Sequence, residues 1–61
     1  MSKHTVFMRI QGQILVGKTF ETGDLACTAA LELNHHQLQN GFEGYYFVMD
    51  NYTAKCNGLL D

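Results

Sequence analysis

Five imidazole or thiol side chains in this sequence could donate to a zinc ion: His4, Cys27, His35, His36 and Cys56. Imidazole and thiolate together form a donor set that zinc accepts. The spacing argues against such a site. There is no Cys-x-x-Cys, no two histidines stand four apart, and His35 and His36 are neighbours whose side chains diverge by about 100° on a helix. Neither a metal nor a cofactor is therefore expected. Nucleophilic catalysis needs a nucleophile, a base and an orienting group converging in a pocket. The one serine, Ser2, lies at the terminus, and no spacing brings Cys27 or Cys56 to a histidine. The chain is expected not to be an enzyme.

Two short motifs have partial matches to known patterns. Gly12-Gln13-Ile14-Leu15-Val16-Gly17-Lys18-Thr19 has the spacing of a phosphate-binding loop. Its middle four residues are β-formers, however, and no strand-loop-helix order surrounds it, so it reads as strand. Gly44-Tyr45-Tyr46-Phe47-Val48 resembles part of the RNA-recognition-motif octapeptide, whose strand aromatics stack on bases. Glu43, Tyr46 and Asp50 depart from that pattern. An aromatic core strand accounts for the segment.

The elements that must position these residues follow from local chemistry. His4 to Lys18 is rich in β-branched, aromatic and aliphatic residues broken at Gln11-Gly12, which predicts strands over 4–10 and 13–19 joined by a two-residue turn. That turn pairs Ile10 with Gln13, Met8 with Leu15 and Val6 with Gly17 on one face, and Arg9 with Ile14 and Phe7 with Val16 on the other. A helix is predicted over 23–39, capped by Thr22, with Asp24 in its first turn and a left-handed stop at Asn40-Gly41. Its core stripe is Leu25, Ala26, Ala29, Ala30, Leu33 and Gln37; Cys27, Leu31 and Leu38 form a second stripe.

Phe42 to Met49 predicts a strand, Asp50-Asn51 a turn, and Tyr52 to Cys56 its return strand. This second hairpin would set Met49, Phe47 and Tyr45 beside Tyr52, Ala54 and Cys56 on the core face, turning Tyr46 and Val48 outward. The expected architecture is a single α+β domain over 1–61, β-β-α-β-β, with one helix packed on an antiparallel sheet.

Size and charge narrow the function classes. Sixty-one residues leave room for one domain, whose folded surface scales to about 4,000 Å². Four basic residues, scattered singly against six acidic ones, give a net charge of −2. That balance supplies no basic face for nucleic acid and no carboxylate array to imitate it. Val6-Phe7-Met8 and Ile14-Leu15-Val16 are far shorter than the ~20 residues of a membrane helix. With no signal-peptide core at the N-terminus, a complete, short, cytoplasmic product is expected. Two cysteines are too few for a stapled secreted domain, so free and mostly buried thiols are expected.

What remains is surplus apolar surface. One helix covers one sheet face, which leaves Phe7, Ile14, Val16, Tyr46 and Val48 on the open face and Leu31 and Leu38 on the helix as candidate partner-binding residues. The expected function is a small non-enzymatic protein-binding module. In size and architecture it is similar to the accessory inhibitors of phages and mobile elements that occlude a host or partner protein. The alternative is a homodimeric regulator, or a nucleic-acid binder using a β-ribbon.

Overall fold

The structure, a computed structural model, describes residues 3–41 and 43–60. Phe42, assigned above to a strand, lies outside them, as do Met1, Ser2 and Asp61. The elements are β1 (His4–Ile10), β2 (Gln13–Phe20), α1 (Gly23–Asn40), β3 (Tyr45–Asp50) and α2 (Asn51–Cys56). The three strands form one antiparallel sheet in the order β2-β1-β3.

The β1–β2 turn places Gln11 at φ 51° and Gly12 at φ 78°. Positive φ at both central residues makes a turn whose twist matches that of the strands. Ile10 faces Gln13, Arg9 faces Ile14, Met8 faces Leu15 and Phe7 faces Val16, as the turn dictates. Beyond Val16 the ladder shifts. A β-bulge places Thr5 opposite Thr19, so Val6 does not pair singly with Gly17. A Cβ at position 17 would lie 2.6 Å from the Val6 carbonyl oxygen, so the bulge requires glycine there.

Helix α1 begins where the Thr22 hydroxyl accepts from the Leu25 N–H at 3.2 Å, and ends at Gly41, φ 73°. Ala26 and Ala30 are buried against Val6, with Phe20, Ala29, Tyr46 and Val48 packed around them. Small helix residues let the backbone approach the sheet closely. Leu25 and Leu33, assigned to the core stripe, stay exposed.

The predicted return strand is instead α2. Asp50 Oδ2 accepts from the Thr53 N–H at 3.0 Å, capping the start. At the far end Gly58 is left-handed, its N–H bonds the Lys55 carbonyl at 3.1 Å, and the Leu59 N–H bonds the Ala54 carbonyl at 2.9 Å. These paired bonds are a helix C-terminal closure. Asp50-Asn51 and Asn57-Gly58 are thus the two ends of one short helix, and the Met49–Tyr52, Phe47–Ala54 and Tyr45–Cys56 pairs do not form. The α+β class stands, in the order β-β-α-β with a short helix last.

This difference turns β3 over. Its register is set by β1, with Phe47 opposite Phe7, Val48 opposite Val6 and Tyr46 opposite Met8. Opposed residues share a face. Tyr46 and Val48 therefore lie under α1, while Tyr45, Phe47 and Met49 share the far face with Phe7. Phe7 and Phe47 stack with centroids 5.5 Å apart. The Thr5 hydroxyl donates to Asn51 Oδ1 at 2.6 Å and lies 2.8 Å from the Thr19 hydroxyl. That chain ties β2, β1 and α2 together on the same side.

Candidate functional site

The seven candidate contact residues divide into four groups. Phe7 is fully buried, so it is core and not surface. Tyr46 and Val48 sit half-buried beneath α1 rather than on the open face. Ile14 and Val16 do share the open face, with 39% and 55% of their surface exposed. Leu31 and Leu38 are exposed on the helix at 71% and 81%.

A groove regroups some of them. It has a volume of about 460 Å³ and lies between α1 and β3, lined by Cys27, Ala30, Leu31 and Asn34 from the helix and Tyr46 and Val48 from the strand. The four helix residues stand at i, i+3, i+4 and i+7, one stripe facing the strand. Leu38 extends that stripe by another turn. The sequence places Cys27 and Leu31 on this second stripe but does not reveal Asn34, because a polar residue inside an apolar stripe gives no sign of its partner.

That partner is backbone. The Tyr46 N–H donates to Asn34 Oδ1 at 2.6 Å, and Asn34 Nδ2 donates to the Tyr46 carbonyl at 3.0 Å. The Asn51 N–H donates to the Lys3 carbonyl at 2.9 Å. Alternation along an antiparallel pair then turns the backbone groups of 45, 47 and 49 toward β1, and those of 46, 48 and 50 outward. Asn34 thus satisfies the first outward-facing residue of this edge strand.

The groups with chemical potential are dispersed. His4 lies on β1 beside Gly23, whereas His35 and His36 lie on the surface of α1 with rings 6.2 Å apart. Cys27 and Cys56 are free and both exposed, which corrects the expectation of buried thiols. Among the described residues no group of three His, Cys, Asp or Glu could hold a metal ion, and no helix is long and apolar enough to cross a membrane. Asp50 is held below its ordinary pKa, chiefly by its hydrogen bonds to the Thr53 hydroxyl and N–H, with a small contribution from His4 opposite it.

Lys3 and Glu21 approach to 3.8 Å on the surface, and Lys18 lies 5.5 Å from the Phe20 ring centroid. Neither pair borders the groove. Comparison with family models, with curated proteins and with solved structures finds no significant match. The surface is read from its own chemistry.

Proposed function

We propose that this chain is a small non-enzymatic protein-binding module that works by contact, occluding a partner protein in the manner of an accessory inhibitor. The observation that carries this reading is the α1–β3 groove, whose lining includes the exposed Leu31 and whose helix stripe continues to the exposed Leu38. A contiguous apolar surface is the usual signature of a protein contact rather than of a reaction centre. Leu31 and Leu38 stand one above the other on the helix, spaced to enter neighbouring pockets of a partner. The net charge of −2 favours a neutral or mildly basic partner surface over nucleic acid.

The test is capture of partners from a lysate of the source cell by the tagged chain and by two variants. Leu31→Lys with Leu38→Lys should abolish capture without lowering the melting temperature, because both side chains are solvent-exposed. Leu25→Lys, on the same helix but outside the groove lining, should retain it. Equal capture by all three would sink the reading. A bound species whose affinity fell steeply with salt would mark nucleic acid instead.

A further inference from the structure

The two edges of the sheet are treated differently. The β3 edge is covered in part by Asn34, whereas β2 is an eight-residue edge strand in which every residue but Phe20 is exposed. Edge strands of this length normally carry charges or prolines that discourage pairing. Gln13-Ile14-Leu15-Val16-Gly17 carries none.

Its backbone is also free to pair. Phe7 and Arg9 share the odd parity of Lys3, whose carbonyl accepts from the Asn51 N–H directly after β3, so their backbone groups turn to β3. Their β2 partners Val16 and Ile14 are consequently the non-bonded members of the β1–β2 ladder, with N–H and C=O directed outward. Side chains are apolar on both faces: Leu15 on the α1 face, Ile14 and Val16 on the other.

We propose that β2 pairs antiparallel with β2 of a second copy, about a two-fold axis at Leu15. In this register Leu15 meets Leu15 of the other copy, Ile14 meets its Val16, and Val16 meets its Ile14. The two Ile14–Val16 pairs each exchange two N–H···O=C bonds, which satisfies all outward groups of both residues. Lys18, the one charged residue of the strand, falls opposite Gly12, so no like charges are opposed. The two sheets become one sheet of six strands, with both copies of α1 on the same face.

The exposed side chains fit. Ile14, Leu15 and Val16 leave 39%, 50% and 55% of their surface exposed, and this pairing sets all three against the same residues of the other copy. An interface of one strand per copy is small, so the dimer is concentration-dependent rather than obligate. This pairing is on the opposite edge from the α1–β3 groove, so the failure of one leaves the other standing.

Sedimentation equilibrium of the full chain from about 1 μM to about 1 mM, the span of weak affinities, should show the mass rising from 6.9 kDa toward twice that value. Leu15→Lys and Leu15→Glu should each be monomeric, and their equimolar mixture should dimerise, because only self-opposition at position 15 makes one variant repel and two attract. Leu15→Cys, with Cys27→Ser and Cys56→Ser, should cross-link to itself under oxidised glutathione. Directly opposed non-bonded residues have Cα atoms about 4.5 Å apart, within disulfide reach. Gln13→Cys in the same background should not cross-link. A native chain monomeric throughout would overturn the proposal and leave β2 to a strand of another protein. A dimer indifferent to both Leu15 charges would overturn the register.

Discussion

The side-chain amide of Asn34 binds both backbone groups of Tyr46, accepting from its N–H at 2.6 Å and donating to its carbonyl at 3.0 Å. It does what a neighbouring strand would do, from a helix. The contact fixes α1 against β3, which places the groove and closes one end of the β3 edge. Replacing Asn34 with Leu keeps the bulk and removes both partners, leaving a half-buried N–H and C=O unsatisfied. Denaturant unfolding should show a loss of about 1–3 kcal/mol. Asn34→Asp should also destabilise, because a carboxylate can accept from the N–H but repels the carbonyl. A midpoint unchanged in both variants would contradict this role.

Thr5 is a buried polar residue of the sheet, with no exposed surface. Because its single hydroxyl proton goes to Asn51 Oδ1, the Thr19 hydroxyl must supply the proton of the other bond. Thr5→Val preserves shape and breaks both bonds. The expected loss is about 1–3 kcal/mol, read by thermal or denaturant unfolding. The amide protons of α2 should exchange faster in the variant, since Asn51 is the first residue of that helix.

Gln11 holds a left-handed backbone without being glycine. An ordinary L-residue there costs about 1–2 kcal/mol relative to the right-handed region. Gln11→Asn or Gln11→Gly should raise the melting temperature, with Asn-Gly the preferred pair for this turn. A lower melting temperature for both would show that the Gln11 side chain makes a compensating contact.

Asp50 caps α2, and its pKa is lowered by the Thr53 hydrogen bonds. A carboxylate with a folded value below its unfolded value of 3.8 contributes stability that is full above the unfolded value and lost as pH falls through the folded one. Unfolding measured between pH 7 and pH 2 should therefore show a stability decrease on the acid side that Asp50→Ala reduces. If the acid limb were identical in the variant, the cap would not be the titrating contact.

Local residue chemistry alone determined the first hairpin and the long helix. Gln11-Gly12 dictates a two-residue turn, and the turn dictates the pairing of Phe7 with Val16 and Met8 with Leu15. Thr22 and Gly41 mark the limits of α1 because an unsatisfied helix end needs a side-chain acceptor at its start and a left-handed residue at its close. Asp50 and Asn57-Gly58 carried the same end signals for α2, but only six residues separate them from one another in that helix. Tyr52 to Cys56 is equally acceptable as strand, and so short a segment has no periodicity to arbitrate.

The tertiary structure decided which face of β3 is covered. Alternation along Tyr45 to Asp50 shows two faces, both apolar, and cannot say which one meets the helix. That choice is made by pairing with β1, which sets Val48 opposite Val6 far away along the chain, together with the Asn34 bonds to Tyr46. Phe7 is core rather than surface for the same reason: its ring stacks on Phe47, a contact between segments that no local pattern relates. The open edge of β2 likewise exists only because β3 pairs with β1, leaving one side of the hairpin without a neighbour.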